Sequence, residues 1–214
     1  INPDPSRAPL PAPALRMLDE LGIAHLIFVN RIDQAHGRIR DLLTALQPVS
    51  VSPLVARQIP IREGEKVTGF VDLALERAYH YVPGKQSERI DIPEDLQQRE
   101  SEARTQLLEH LADHDDELLE QLLMDQAPTQ DKVVADLARE TGESLAVPVL
   151  FGSASSAWGV RRLLKALRHE TPGPKATADR LGVANPALYV FKISHGGSVG
   201  RLAVVRARCG RIGE

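Results

Sequence analysis

The sequence predicts an α/β protein in which an α+β insert interrupts a parallel sheet. Within residues 1–61, strand-like apolar runs alternate with helix-like segments, which is typical of strand–helix–strand units. After Gly64 the pattern changes to the alternation of antiparallel strands, and acidic helices follow. At Ala146 an apolar run followed by a helix resumes the first pattern. The segment between is therefore predicted to be an insert.

The first part of the chain begins without regular structure. Five prolines within the first 13 residues delay a short helix, Ala14–Leu21, which Gly22 closes. A strand is predicted over Ile23–Val29. A helix over 36–47 and a second strand over Leu54–Ile61 follow, because their apolar residues recur at helical and strand spacing, respectively.

The insert is predicted to contain antiparallel strands and then helices. The run KVTGFVDLALERAYHYV, residues 66–82, alternates like two strands around a bend, and ERIDIP, residues 88–93, adds a short strand. Two or three acidic helices occupy residues 93–142, and Gly142 ends the last of them.

The last third of the chain is predicted to complete the first domain and then to begin a second domain. A buried strand begins at Ala146, and a helix runs from Trp158 to about His169. Residues 171–176, TPGPKA, predict a linker, and the apolar segment after it predicts a β-hairpin that turns at His195–Gly197. The predicted domains are 1–61 with 146–172, the insert 62–145, and a second domain that begins within 173–214.

The composition is that of a globular protein without membrane segments. The chain has 214 residues, 43% hydrophobic and 26% charged, and its apolar runs are far shorter than the roughly 20 residues of a membrane span. A single cysteine, Cys209, cannot form a disulfide within this sequence and is typical of a reducing compartment. We therefore expect a cytoplasmic protein without a membrane partner.

Charge is distributed unevenly, although the net charge is only −3. Acidic residues outnumber basic ones between Glu94 and Asp125, whereas basic residues crowd the later helix. This asymmetry favours binding to charged partners. In the alternative interpretation, both groups of charged residues are simply solvent-exposed helix faces. The basic residues of the later helix are Arg161, Arg162, Lys165, Arg168 and His169.

Polar residues follow the first buried strand directly. In FVNRID, residues 28–33, the strand ends in Asn30, Arg31 and Asp33, and open α/β sheets bind ligands at the carboxyl ends of their strands. An ionised Asp33 can accept both the N1 hydrogen and the 2-amino group of guanine, a donor pair that adenine lacks. Asn30 can bond the neighbouring loop and the base, and Arg31 can lie along the purine face.

A second loop follows the strand that begins at Ala146. Its residues Ser153 and Ala154 can offer a backbone N–H to the 6-oxo group of guanine, which the amino group of adenine would not accept. Two loops would then recognise one base.

These motifs resemble those of elongation factor G and its relatives among the translational GTPases. FVNRID resembles the family's guanine-recognition motif N-K-x-D at Asn30 and Asp33, and GSASS resembles its G-S-A loop at Ser153 and Ala154. VTGFVDLALERAYHY, continued by ERIDIPEDL, resembles the insert of elongation factor G. FKISHGGSVGRLAVVRARCG resembles the start of its second domain. The resemblance spans nearly the whole chain.

The resemblance implies a fragment with a partial P-loop-type GTPase sheet. Residues 1–61 and 146–172 would form the C-terminal half of the GTP-binding domain, and 62–145 a G-prime-like insert. Residues 173–214 would begin a β-barrel domain. Ile1–Pro3 would correspond to the end of the strand that precedes the recognition strand, so about half of the nucleotide domain is expected to lie outside this sequence.

Departures from the family pattern limit the expected chemistry. Arg31 stands where the family has lysine, so it keeps the charge but not the compact ammonium. The sequence contains no G-x-x-x-x-G-K-[ST] loop, no D-x-x-G loop with its following histidine and no switch threonine before the recognition motif. In the family these elements hold the phosphates and Mg²⁺ and orient the attacking water. We therefore expect this chain not to hydrolyse GTP and to bind GTP or GDP only at millimolar concentrations, with Mg²⁺ held in a longer parent protein.

The resemblance also implies the role of the parent protein, which would couple GTP binding and hydrolysis to translocation. Its implied partners are guanine nucleotide and the ribosome, including the stalk protein and ribosomal RNA, but not DNA. Two alternatives stay open. One is a ribosomal protection or release-factor-type GTPase, and the other is a protein-interaction module whose acidic helices dock on the ribosomal stalk.

Three further features have simpler interpretations. His110 and His114 have a spacing compatible with a metal site, but the sequence offers no obvious third ligand. Gly196 and Gly197 favour a hairpin over a phosphate loop, because a strand follows them rather than a helix. Trp158 is interpreted as a packing residue, with capping of the base pocket as the alternative.

Overall fold

The computed structural model describes residues 1–182, 187–196 and 200–209. The chain divides into two compact units, Ile1–Thr171 and Pro172–Glu214. The first unit contains a parallel sheet, an antiparallel sheet and six α-helices within its described residues.

A three-stranded parallel sheet forms the base of the first unit. Its strands are β1 (Ile27–Val29), β2 (Leu54–Ala56) and β7 (Val147–Phe151), in the order β1-β7-β2. All five residues of β7 are buried, as expected for a central parallel strand. Val29 pairs with Phe151, so the carboxyl ends of β1 and β7 are neighbours. The predicted α/β class is confirmed.

Helices and short 3-10 turns flank the strands of this sheet along the chain. The helices are α1 (Ala12–Glu20), α2 (Ile39–Leu46) and α6 (Val160–His169). The apolar residues of α2 recur on one face and are buried against β1 and β7 in a common core. Pro48 lies in the 3-10 turn that follows α2 and cannot continue its hydrogen bonding. The 3-10 turns are Pro5–Arg7, Ile32–Gln34 and Gln47–Val49.

The insert begins with a four-stranded antiparallel sheet. Consecutive strands are neighbours, in the order β3-β4-β5-β6, and the predicted antiparallel strands are confirmed. The strands are β3 (Gln58–Glu63), β4 (Lys66–Asp72), β5 (Arg77–His80) and β6 (Glu88–Ile90).

Three helices complete the insert. They are α3 (Glu94–Ala112), α4 (Asp116–Leu123) and α5 (Gln130–Glu143). Asp115 caps α4 by accepting from the N–H of Leu118, which satisfies a donor that the helix itself leaves unpaired. Their inward leucines pack with Val133 in a second core, so the helices are held by burial rather than by propensity alone.

The prediction of one strand over Leu54–Ile61 was wrong. The segment forms β2 and β3, which belong to different sheets and are separated by Arg57. The N–H of Arg57 donates to the carbonyl of Val149 in the parallel sheet, and its carbonyl accepts from the N–H of Leu73 beside the antiparallel sheet. Arg57 therefore forms the corner between the two sheets.

Other element boundaries also differ from the predicted ones. The predicted strand Ile23–Val29 is shortened to β1, because only Ile27–Val29 pairs with β7. Gly142 does not end α5, which continues to Glu143. The left-handed residue that follows is Ser144, with φ 59°. The helix α7 (Pro174–Arg180) begins inside the predicted linker, because Pro is well suited to a first helical turn.

We expect Gly142→Ala to stabilise the protein by about 0.5–1 kcal/mol, because alanine loses less backbone entropy than glycine in a helix. Gly142 is exposed and lies inside α5. The midpoint of urea unfolding should therefore rise. Gly159→Ala provides the opposite control, because Gly159 has φ 70° and a Cβ there would lie 2.5 Å from the carbonyl oxygen of Phe151. A loss of stability in Gly142→Ala would mean that Gly142 ends the helix after all.

The second unit contains α7 and a β-hairpin. The strands β8 (Ala187–Gly196) and β9 (Gly200–Cys209) pair antiparallel, with Gly196 opposite Gly200, so the predicted hairpin is confirmed. His195 and Gly196 belong to β8, whereas Gly197 lies outside the described residues. The start of a β-barrel stays a prediction. In the described part of the chain, no helix is both long and apolar enough to cross a membrane.

Candidate functional site

The first candidate loop leaves β1 through an unusual backbone conformation. Arg31 has φ 62° and ψ 39°, in the left-handed region, and the turn Ile32–Gln34 follows it. Ile32 is fully buried and anchors this turn in the core. Arg31 is exposed and Asp33 is half-buried. The loop thus reverses immediately after the strand and holds both side chains at the end of the sheet.

The second candidate loop leaves β7 and is hydrogen-bonded to the first. The N–H of Gly152 donates to the carbonyl of Val29 at 2.9 Å, and the N–H of Ile32 donates to the carbonyl of Gly152 at 3.0 Å. The N–H of Ala154 donates to Oδ1 of Asn30 at 2.9 Å. Three hydrogen bonds therefore join the loops.

The Asn30 side chain is the link between these loops. Its Oδ1 accepts from the N–H of Arg31 and from the N–H of Ala154, both at 2.9 Å. The oxygen side of the amide is therefore used within the protein. The NH₂ group of the same amide is the side that can donate to a ligand.

Asp33 carries a buried oxygen without a partner. Within the described part of the chain, its Oδ1 is shielded from solvent and accepts no hydrogen bond. A buried acceptor left unpaired costs about 1–3 kcal/mol, and more when it is charged. A ligand that brings N–H donors to Asp33 would remove this cost.

Ser153 and Ala154 have different positions in the second loop. Ser153 is fully buried, and its N–H and carbonyl pair with the carbonyl and N–H of Trp158, each at 2.9 Å. Its hydroxyl lies 3.1 Å from that of Ser155, so Ser153 shapes the loop from inside. Ala154 is exposed, but its N–H is already engaged by Asn30. In this conformation the donor expected to reach the base is therefore occupied.

Gly152 and Trp158 determine how closely the second loop folds. A Cβ at Gly152 would lie 2.2 Å from the carbonyl oxygen of Trp158, so no larger residue fits there without a shift. The ring of Trp158 stacks on Tyr81, with ring centroids 4.9 Å apart and an angle of 3°. This contact supports the packing role for Trp158.

The structure therefore brings only some of the five predicted site residues into contact with one another. Asn30 and Ala154 are in contact across the two loops, Ser153 supports the second loop, and Asp33 lies in the turn after the first. Arg31 lines a separate cavity of about 360 Å³ beside the chain start. The lining of this cavity also includes Asn2, Asp4, Gln34 and His36.

Sequence reasoning missed a buried network of charges outside the two candidate loops. Arg57 Nη1 lies 2.5 Å from Glu170 Oε2, and Arg162 Nη1 lies 3.0 Å from Glu170 Oε1. Arg162 also donates through Nε to Asp72. Asp72 in turn accepts from the N–H groups of Ala74 and Leu75. The network joins the parallel sheet, the antiparallel sheet and α6, and the charged Arg57 in an apolar run was its only sign in the sequence.

The ionisation of Glu170 is governed by its two arginines. Burial opposes ionisation and would raise the pKa, but the charges of Arg57 and Arg162 outweigh burial and hold the pKa of Glu170 below its usual value of 4.5. Glu170 therefore contributes stability above about pH 4.5, and this contribution is lost as the pH falls through its lowered pKa.

His110 of α3 and His114, in the turn after α3, face a buried carboxylate from α5. His110 Nε2 lies 3.3 Å from Glu140 Oε2, and His114 Nδ1 lies 3.5 Å from Glu140 Oε1. Glu140 is fully buried and is a neighbour that the sequence did not reveal. Among residues 1–182, 187–196 and 200–209, no three His, Cys, Asp or Glu side chains are arranged to hold a metal ion.

Known proteins resemble the chain over almost all of its length. It is 39% identical over 215 residues to a Synechocystis sp. protein named elongation factor G-like protein, with 99% of this chain and 32% of that protein covered. A crystal structure of a Thermus thermophilus protein matches with a TM-score of 0.80 and 26% identity, covering 94% of this chain and 29% of the other. The chain thus spans about a third of the length of these proteins. No family model matches the sequence.

Proposed function

Because the chain is a segment of an elongation factor G-like protein, we propose that it supplies the guanine-recognition half of a GTP-binding domain. Asp33 accepts the N1 hydrogen and the 2-amino group of guanine, and Asn30 presents its NH₂ group to the same base. Arg31 lies along the purine face. Ser153 and Ala154 hold the second loop against the first.

The observation that carries this proposal is the unpartnered carboxylate oxygen of Asp33 beside two linked loops. Both loops leave the carboxyl ends of adjacent parallel strands, where open α/β sheets bind ligands. Among the contacts of these five residues, one hydrogen bond between the loops involves a side chain, and it runs from the Ala154 N–H to Oδ1 of Asn30. The site therefore has an unpartnered acceptor on a supported frame, which suits a ligand with adjacent N–H donors once a small shift of the turn exposes this oxygen.

The choice of guanine is assigned chiefly to Asp33. The Ala154 N–H can reach a 6-oxo group only if it leaves or shares its bond to Asn30. A base that accepts from the Ala154 N–H must therefore compete with the hydrogen bond from this group to Asn30. The decisive experiment compares guanine and xanthine nucleotides on the Asp33→Asn variant of the longer parent protein.

For the parent protein we propose a ribosome-bound GTPase that couples GTP binding and hydrolysis to translocation. GTP or GDP, with Mg²⁺, would be held partly by segments outside this sequence, since the phosphate-loop pattern is not among these 214 residues. The stalk protein and ribosomal RNA are its proposed contacts on the ribosome, in the cytoplasm. Ribosomal protection and release-factor-type GTPases are variants of the same proposal.

The acidic insert supports a second candidate function, docking on the ribosomal stalk. Helix α4 exposes Leu119 by 44% and Leu123 by 78%. Glu117 and Glu120 are exposed on the same short helix. An apolar strip flanked by acids suits a partner helix that carries apolar and basic residues.

Reversal of Glu117 and Glu120 to lysine is expected to slow association with the stalk protein, because opposite charges accelerate encounter. The effect should fade as salt shortens the Debye length below about 8 Å. Stopped-flow association rates at several salt concentrations provide the measurement. The double variant Glu102→Lys and Glu109→Lys on α3 makes the same change in net charge, and thermal melting checks the fold because Glu117 lies 3.5 Å from Lys132. Equal rates for both double variants would contradict docking through α4.

A further inference from the structure

A cavity that Asn30, Asp33 and Ala154 do not line opens between the antiparallel sheet and α6. Its volume is about 550 Å³, which lies in the range of small-molecule sites. Phe70 and Tyr79 form part of its wall, with ring centroids 5.1 Å apart and an angle of 24° between the rings. Leu75 and Val134 add apolar surface from the insert. This wall suits the flat face of a ring.

The cavity also has a basic rim. Lys85, Arg161, Lys165 and His169 line it, and all four are exposed. Arg161 donates to the neutral amide of Gln86, which leaves its charge uncompensated by that contact. The rim therefore attracts anions.

The acids that line the cavity do not cancel this charge. Among its described lining residues, Asp72 and Glu170 are the carboxylates, and both are paired with Arg162. Glu170 is also paired with the buried Arg57. In addition, α6 has no acidic residue in its first turn.

We propose that this cavity binds an organic phosphate that carries a planar ring, as a nucleoside monophosphate does. The ring lies against the wall that contains Tyr79, and Lys85, Arg161 and Lys165 contact the phosphate. The proposal is independent of guanine recognition, because Asn30, Asp33 and Ala154 do not line this cavity. An adenine nucleotide is the suitable probe, since adenine lacks the donor pair that Asp33 would accept.

Calorimetric titration of the chain with AMP tests the proposal. We expect AMP to bind at submillimolar concentration and more tightly than adenosine or inorganic phosphate alone, and to shift the amide NMR signals of Gly84 and Gly159. Lys165→Glu combined with Arg161→Glu should weaken AMP binding at least tenfold. Arg168→Glu is a control for charge reversal on the same helix, because Arg168 is exposed but does not line the cavity, and it should change affinity less than twofold.

Three further outcomes distinguish this site from the Asp33 loops and from a simple anion site. Asp33→Asn should leave AMP binding unchanged, and a loss would move the nucleotide to the Asp33 loops. Phosphate alone binding as tightly as AMP would overturn the role of the ring. Equal affinity of the rim variant and Arg168→Glu, with melting temperatures that show both folded, would overturn the site itself.

Discussion

Asp33→Asn in the parent protein is expected to lower GTP affinity by about 3–5 kcal/mol, because the proposed site would lose two charge-assisted hydrogen bonds of about 1.5–3 kcal/mol each and the asparagine oxygen would recover only part of one. This loss corresponds to a dissociation constant raised more than roughly a hundredfold. Among the described residues the buried Oδ1 of Asp33 has no hydrogen-bond partner, so the substitution breaks no hydrogen bond of that atom within the protein. Calorimetric titration with GTP provides the measurement.

Xanthine nucleotide should recover part of the lost affinity in the Asp33→Asn variant. Its 2-oxo group can accept from the asparagine NH₂, whereas the 2-amino group of guanine cannot. Asp41→Asn is the matched control, because Asp41 is exposed in the first turn of α2, and GTP affinity should be unchanged. Equal GTP affinity for Asp33→Asn and the unaltered protein would remove Asp33 from the binding site.

Glu170→Gln is expected to destabilise the first unit by about 3–5 kcal/mol, as the loss of one member of a buried charge network does. The substitution leaves Arg57, which is fully buried, and Arg162 without the charge of their shared carboxylate. The free energy of unfolding, measured with urea at neutral pH, should fall accordingly. The difference should shrink below about pH 4.5, where Glu170 in the unaltered protein begins to lose its stabilising charge.

Two controls distinguish the network from a general effect of charge. Glu143→Gln removes a carboxylate that is 56% exposed and pairs with Arg139 at 3.6 Å, and it should cost less than about 0.5 kcal/mol. The double variant Arg57→Met with Glu170→Leu should be less destabilised than the sum of its single variants, because neither then leaves the other unpaired. A Glu170→Gln protein as stable as Glu143→Gln would show that the network contributes nothing.

The elements that depend on short-range pattern were predictable from the sequence. The strand that becomes β7 has an uninterrupted apolar run, and β4 and β5 alternate around a bend, so their burial follows from side-chain period. The helices α2 and α3 likewise place leucines on one face. Boundaries were less predictable, because α5 ends at a left-handed serine rather than at the nearby Gly142.

The candidate site was predictable only in its parts. Asn30, Arg31 and Asp33 stand out because polar residues follow a buried strand at once, and Ser153 and Ala154 stand out because their loop follows another buried strand. The hydrogen bond from Ala154 to Asn30 joins residues 124 positions apart. No local sequence pattern indicates which N–H group donates to the side-chain oxygen of Asn30. Only the folded chain therefore shows that the Ala154 N–H is already hydrogen-bonded.

By itself, therefore, the sequence determined the α/β class, the two polar loops at strand ends and the hairpin of the second unit, because each is a property of neighbouring residues. Only the tertiary structure showed that the chain passes from the parallel sheet to the antiparallel sheet at Arg57. An arginine inside an apolar run can be buried only where opposite charge is brought to it, and Glu170 arrives from 113 residues away. The break between β2 and β3 lies at this paired arginine. The acids that line the cavity with the basic rim belong to the same long-range network, so neither feature is a property of neighbouring residues.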